Sequence, residues 1–176
     1  MLLSRSVIAT PLGEMLALAS DAGLCALEFT GPRKRLTRLD ARLSRWFPPH
    51  EIVERYTPVI ARTRKWLSKY FAGTAAGADD LALDMRGAEF EKRVWAALRT
   101  IPPGQTTSYG AIAKRLGDAG ASRAVGAANG ANPIAIIVPC HRVIGSTGSL
   151  TGYGGGLERK RWLLDHERRW RSGVLF

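Results

Sequence analysis

The sequence predicts an α+β protein in two parts, a small N-terminal α/β domain over residues 1–86 and a mostly helical C-terminal domain over residues 87–176. Three observations carry this reading. Two short apolar runs with strand-like alternation lie near the N-terminus and are followed by two helical periodicities. A small, polar, Gly-containing segment then interrupts the pattern ahead of Arg86-Gly87. Beyond it the apolar spacing is helical, apart from one central run, Ile136-Ile137-Val138, that reads as a buried strand. At 176 residues and 45% hydrophobic content, the chain can bury the core of one domain or two small ones.

In the first part, residues 15–19 and 24–29 are two strands joined by Ser20-Asp21-Ala22-Gly23, a hairpin signature. Cys25, Leu27 and Phe29 alternate onto one face, so Cys25 reads as a core residue. From Lys34 to Phe47, Leu36, Leu39, Leu43 and Trp46 recur at helical spacing. Arg35, Arg38, Arg42 and Arg45 fill much of the rest, as a solvated basic face or a secondary DNA contact. A second helix starts with Thr57 as N-cap and Pro58 in its first turn. Val59, Thr63, Trp66, Leu67 and Tyr70 form its stripe, and Gly73 ends it. Residues 72–80 read as a loop, and Leu81, Leu83 and Met85 as a short strand.

In the second part, Phe90, Val94 and Leu98 share a helix face, and Pro102-Pro103-Gly104 stops that helix. Ser108 caps the next, with Tyr109, Ile112, Ala113 and Leu116 on one side and Gly117 at its end. A turn leads into a second short helix, Ala121 to Gly130. The pair has the spacing of a helix–turn–helix. Apart from Arg123 and Val125, that second helix is nearly all small. Its smooth surface suits either tight packing inside the protein or close approach to a narrow DNA groove, with Arg123 projecting. Residues 145–156 are rich in Gly, Ser and Thr, contain Tyr153, and read as a loop that lines a site or forms a wing. They lack a phosphate-loop pattern.

The balance of 26 Lys and Arg against 15 Asp and Glu gives a net charge of +11. That suits a polyanionic partner, nucleic acid or an anionic membrane surface, or else an Arg-rich solubilising surface. No apolar stretch is long enough to span a bilayer, and no signal-peptide pattern is seen, so a cytoplasmic protein is expected. In a reducing compartment Cys25 and Cys140 are expected to be free thiols.

Pro139-Cys140-His141-Arg142 is the point at which chemistry concentrates. A free thiol titrates at about 8.5, so a nucleophilic Cys140 needs a base or a positive environment. His141 is the nearest base. Neighbours in an extended segment point to opposite sides, so a bridging water can carry the proton between them. Glu167 lies one turn beyond Leu163 and Leu164 on the apolar face of a helix that begins near Leu157. Paired to His141, it would fix the imidazole tautomer and stabilise its charged form. Cys plus His alone also fits thiol proteases, amidases, redox proteins and structural cysteines.

The wider constellation resembles the O6-alkylguanine-DNA alkyltransferases, the methylated-DNA–protein-cysteine methyltransferase family. The resemblance rests on Pro139-Cys140-His141-Arg142 with its aliphatic flanks, Ser108-Tyr109, Arg123-Ala124-Val125-Gly126 and Asn132-Pro133. Tyr153 ahead of Gly154-Gly155-Gly156-Leu157 and Trp162-Leu163-Leu164 with Glu167 complete it. These matches run in order from about Phe90 to Glu167. Before Arg86 only domain order and length fit.

The resemblance implies an RNase H-like N-terminal scaffold and a winged helix–turn–helix C-terminal domain. It implies direct reversal of damage: a flipped O6-alkylguanine, and also O4-alkylthymine, gives its alkyl group irreversibly to Cys140. Glu167, His141 and a water would take the thiol proton, and Tyr109 would protonate or hydrogen-bond N3 of the leaving guanine. Asn132 would hold the turn before the active-site strand. Arg123 would fill the vacated stack, with Ala121, Ser122, Ala124, Gly126 and Ala127 against DNA. The Cys140 and Val143 carbonyls would identify the guanine amino group, with Tyr109, Tyr153, Gly154 and Gly155 completing the pocket. Some relatives carry Ser where this chain has Gly154, which leaves only its N–H for O6. The implied partner is duplex DNA containing O6-alkylguanine, met by a monomer that can assemble cooperatively on DNA, with no membrane. No cofactor is expected, and no zinc, since Cys25 and His50 alone make no tetrahedral site. A non-catalytic alkylguanine sensor of the alkyltransferase-like kind is the alternative, and Cys140 argues against it. A Cys–His hydrolase with an incidental helix–turn–helix draws no support from the basicity.

Overall fold

A computed structural model describes residues 1–47, 49–75 and 77–173. Position 76 of the expected 72–80 loop and positions 174–176 of the expected second domain lie outside the described residues. The chain divides into two compact units, Met1–Arg86 and Gly87–Phe176.

The first unit is built on a four-stranded sheet in the order β3-β2-β1-β4. The strands are β1 (Leu2–Thr10), β2 (Gly13–Ala19), β3 (Leu24–Phe29) and β4 (Glu51–Glu54). The first three form an antiparallel meander, and β2 and β3 meet through the expected hairpin. β4 runs parallel to β1. A parallel neighbour needs a crossover, and helix α1 (Arg33–Trp46) supplies it. Sequence periodicity missed β1 and β4, because both alternate weakly and leave Leu2, Val7 and Ile52 exposed. The strand expected over Leu81, Leu83 and Met85 is reduced to a single bridge between Leu83 and Leu24.

All six residues of β3 are buried. Cys25 therefore sits in the core with Leu3, Leu18, Ala26, Leu39, Leu43 and Phe47. Burial pushes its thiol up to about 11, which makes it a packing residue rather than a nucleophile. Glu28 is buried in the same strand and takes a two-pronged contact from Arg35, Nη2 to Oε1 at 2.7 Å and Nε to Oε2 at 3.0 Å. Arg35 thus leaves the solvated face expected of it, because a buried carboxylate must be paired. Arg42 also turns inward and donates to the Arg86 carbonyl at 2.6 Å. Helix α2 (Pro58–Phe71) begins as expected, with Thr57 Oγ1 accepting from the Ile60 N–H. Ile60, rather than Val59, heads its buried stripe of Thr63, Leu67 and Tyr70.

Among the described residues the second unit holds four α-helices: α3 (Glu89–Arg99), α4 (Tyr109–Arg115), α5 (Ser122–Gly130) and α6 (Leu157–Arg171). Val94, Trp95, Ala97 and Leu98 bury one face of α3. The Trp95 indole N–H donates to the Ala128 carbonyl at 2.9 Å and ties α3 to α5. Ser108 caps α4 by accepting from the Ala111 N–H at 3.1 Å. Gly117, at φ 90°, supplies the left-handed turn that ends it. A parallel ribbon of two short strands, β5 (Thr107–Ser108) and β6 (Val143–Ile144), joins the start of α4 to the segment after Cys140.

The central apolar strand is absent. Residues 134–139 are wholly buried, yet they form tight turns. The Ile137 N–H bonds to the Ala135 carbonyl at 2.8 Å around Ile136, whose φ is +69°. The Cys140 N–H bonds to the Val138 carbonyl at 2.8 Å around Pro139, at φ −82° and ψ 64°. Each closes a three-residue γ-turn, the first in the strained positive-φ form. A buried aliphatic run has no periodicity by which to tell a strand from packed turns, which is why the sequence misled here.

Candidate active site

Cys140 begins a single 3-10 turn, Cys140–Arg142, that follows the Pro139 γ-turn. Asn132 holds the approach to it. Its side chain is fully buried, accepts from the Ile134 N–H at 3.0 Å, and donates to the carbonyls of Ile134 (3.3 Å) and Val138 (2.8 Å). The strained turn is thus cross-tied by one amide.

His141 is fully buried, and its Nε2–H donates to Glu167 Oε1 at 2.8 Å. Glu167 is equally buried and accepts more than this one bond. Arg142 donates Nε to Oε2 at 2.9 Å and Nη2 to Oε1 at 2.8 Å, and the Gly104 N–H reaches Oε2 at 3.0 Å. Burial alone would raise the Glu167 carboxyl, but His141 and Arg142 together hold it well below the usual carboxylate range. Burial pushes the imidazole of His141 below its ordinary value, and Arg142 and Lys160 add to that, against the pull of Glu167. The result is a neutral imidazole whose proton sits on Nε2 and whose Nδ1 lone pair is free to accept. Nδ1 is buried with no hydrogen-bond partner among the described residues. Such atoms are ordinarily satisfied by an ordered water, and a water there would lie on the base side of the site.

The ring of Tyr153 lies edge-on to His141, with centroids 6.5 Å apart. Gly154 and Gly155 follow it in the turn that leads to α6, and Gly156 has φ 95° at the start of that helix. Tyr109, at the start of α4, directs its hydroxyl to the Thr151 carbonyl at 3.4 Å. Its ring passes Gly126 of α5, where an added Cβ would stand 3.8 Å away. Val143, in β6, is buried directly after the Cys140 turn.

Arg123, Ala124 and Ala127 are exposed on one side of α5, with Ala121, Ser122 and Gly126 half-buried beside them. Val125, Ala128 and Asn129 form its buried side. The expected DNA-contact residues thus share an open face with a single long cationic side chain.

Sequence reasoning passed over four participants. Arg142 stands in the motif with no role that the sequence assigns, yet its guanidinium pairs with Glu167. Asn129 donates Nδ2 to the Cys140 carbonyl at 3.3 Å. Lys160 is fully buried and donates Nζ to the carbonyls of Val143 (2.6 Å) and Thr151 (2.8 Å). Gly104 supplies its N–H to Glu167. A signal existed for two of them: Lys160, Leu163, Leu164 and Glu167 follow i, i+3, i+4, i+7 spacing, and Asn129 stands four residues after Val125. Among the described residues no three His, Cys, Asp or Glu side chains gather as a metal site.

Residues 89–169 match the model of the 6-O-methylguanine DNA methyltransferase, DNA binding domain. A methylated-DNA–protein-cysteine methyltransferase of Salmonella typhimurium is 48% identical over 165 residues, spanning 91% of this chain and 92% of the relative. One of the same name from Mycolicibacterium paratuberculosis is 64% identical over 103 residues, which cover 58% of this chain and 62% of that relative. Among solved structures, Mycobacterium tuberculosis OGT in complex with DNA superposes with a TM-score of 0.78 at 42% identity, covering 97% of this chain and 94% of that one. Its counterpart from Pyrococcus kodakaraensis gives 0.69 at 27% identity, over 94% and 98%. With its mixed α/β architecture, a matching DNA-binding domain over residues 89–169 and 48% identity along nearly the whole length of a relative, the chain belongs to the methylated-DNA–protein-cysteine methyltransferase family.

Proposed function

We propose that this protein repairs alkylated DNA by a single irreversible displacement at Cys140. As a member of its family it is a DNA-binding methyltransferase of DNA repair. The observation that carries the finer reading is the neutral, Nε2-protonated His141, backed by ionised Glu167 and next to Cys140 in the chain. It can take the Cys140 proton through a water at Nδ1. The thiolate then bonds to the alkyl carbon as the carbon–O6 bond breaks, and its electron pair passes to the guanine. Tyr109 gives its hydroxyl proton to N3, so guanine leaves neutral, and recovers a proton from solvent. The thioether is not cleaved again, so each molecule acts once. O4-alkylthymine offers an equivalent leaving group.

Reaching O6 inside a duplex requires the base to be flipped out, at a cost of a few kcal/mol. Arg123 on the exposed face of α5 fills the gap, while Ala121, Ser122, Ala124, Gly126 and Ala127 let the helix sit in the minor groove. The carbonyls of Cys140 and Val143 read the guanine amino group, and Tyr153, Gly154 and Gly155 close the pocket. The net charge of +11 supports affinity for phosphates that is strong at low salt and indifferent to sequence. The β3-β2-β1-β4 order supports an RNase H-like scaffold over residues 1–86, and the β5–β6 ribbon beside α4 and α5 supports a winged helix–turn–helix over residues 87–176. No described helix is long and apolar enough to cross a membrane. The protein acts in the cytoplasm as a monomer, with scope for cooperative assembly along DNA.

The test is incubation with duplex DNA bearing O6-methylguanine, followed by mass spectrometry of the Cys140 peptide. One methyl on Cys140 for each lesion repaired is the expected result. Repeated turnover, or repair by Cys140→Ala, would overturn the reading.

A further inference from the structure

Lys160 is a buried charge of the site that the proton relay does not use. Its side chain is completely buried, and a buried ammonium without an anion is costly. Its hydrogen-bond partners among the described residues are two backbone carbonyls, Val143 and Thr151. Neither carries a charge. The carboxylate of Glu167 lies about two turns along the same helix face, but its oxygens are committed to His141, Arg142 and Gly104. Val143 is itself fastened to the reacting residue, since its N–H bonds back to the Cys140 carbonyl. The ammonium is therefore clamped to the turn that carries the thiol. Burial lowers the Lys160 value and Cys140 raises it, so the two groups feel each other directly.

We infer that Lys160 is the counter-cation of the Cys140 thiolate, a positioning residue whose charge holds the nucleophile in its reactive form. It completes a division of labour: His141 and Glu167 move the proton, and Lys160 stabilises the anion left behind. Its second hydrogen bond, to the Thr151 carbonyl, is shared with the Tyr109 hydroxyl, so one side chain ties the thiol turn to the loop on which the proton donor rests. The other titratable groups of the site are His141 and Arg142 on the thiol's own turn, Glu167 on α6, Tyr109 on α4 and Tyr153 edge-on to His141. The two cations, Lys160 and Arg142, differ in kind, because Arg142 is neutralised by Glu167 and Lys160 is not.

This inference rests on Cys140 being the nucleophile, and its test needs no DNA. The rate at which a small neutral haloacetamide labels Cys140 is followed against pH, by mass spectrometry of the Cys140 peptide, in wild type, Lys160→Met and Lys160→Gln. Gln keeps a donor for the carbonyls and loses the charge. An adjacent opposite charge shifts a titration by roughly 1–3 units, so both variants are expected to label about tenfold or more slowly at pH 7 and to approach wild type at high pH. A uniform loss at every pH would mark Lys160 as merely structural and overturn the inference. So would a wild-type thiol that titrates at or above about 8.5, an outcome that requires no variant to fold. Failure of methyl transfer from DNA with the labelling profile intact would instead count against the proposed function.

Discussion

Glu167→Gln is the sharpest single perturbation of this site. The carboxylate accepts from four donors: His141 Nε2, Arg142 Nε and Nη2, and the Gly104 N–H. An amide of the same shape keeps one oxygen and turns two N–H donors toward groups that are themselves donors. Two costs follow. The Arg142 guanidinium, with its side chain 8% exposed, loses its anion, which for a broken buried pair amounts to about 3–5 kcal/mol. His141 can satisfy a glutamine N–H only by accepting at Nε2, which moves its own proton to Nδ1. The imidazole is then a donor on the side where it must act as a base, and a loss of about 10²–10⁴-fold is expected. The assay is single-turnover methyl transfer from O6-methylguanine duplex as a function of pH, with urea denaturation alongside. The rate defect should shrink at high pH, where the thiol ionises unaided. A folded Glu167→Gln protein that transfers methyl within twofold of wild type at pH 7 would refute both the tautomer assignment and the relay.

Three further outcomes are expected. Arg123→Ala should weaken repair of duplex DNA far more than reaction with free O6-alkylguanine base, and an equal loss on both would remove Arg123 from the DNA face. Asn132→Leu leaves the Ile134 N–H without a partner in a sealed core and the Val138 carbonyl with its Cys140 N–H bond alone, at about 1–3 kcal/mol in denaturant unfolding. A loss under about 1 kcal/mol would mean that another group braces the turn. His141 lies below its ordinary value near 6.5, so its share of stability is present above that pH and is lost as pH falls through its lower folded value. Glu28 has the opposite sign: raised to about 7 by burial, it contributes most below about 4.5 and loses that contribution as pH rises through 7. Melting temperatures of Glu28→Gln should therefore drop more steeply than those of wild type between pH 7 and 5, and parallel curves would contradict this.

The helices and the β2–β3 hairpin were legible because periodicity, caps and turn residues agree locally, as at Thr57, Ser108 and Gly117. Cys140, His141 and Glu167 were legible for a different reason: Cys140 and His141 close an apolar run, and Glu167 falls on the apolar face of its helix, one turn beyond Leu163 and Leu164. What stayed hidden depends on contacts distant in the chain. Arg35 looks solvated until Glu28, on a strand, comes to meet it. Lys160 looks like one more basic residue among 26 until the carbonyls of Val143 and Thr151 surround it. The conformation of residues 134–139 was the largest miss. Its cause is a side chain, Asn132, that replaces the ladder bonds a strand would have made.

Ile136 keeps a positive φ although glycine would adopt it without strain, and a branched side chain persists there only because the core grips it on every side. The Cys140 turn is thus mounted on a strained and wholly buried stretch of the unit. Lesions that differ in bulk are then not met by shifting Cys140; the give has to come from the 145–156 loop, where a Cβ added at Gly148 or Gly152 would meet nothing within 4 Å. Exchange of residues 145–156 between homologues should consequently alter which adducts are accepted, whereas grafting the Cys140 turn alone should transfer reactivity without changing that range.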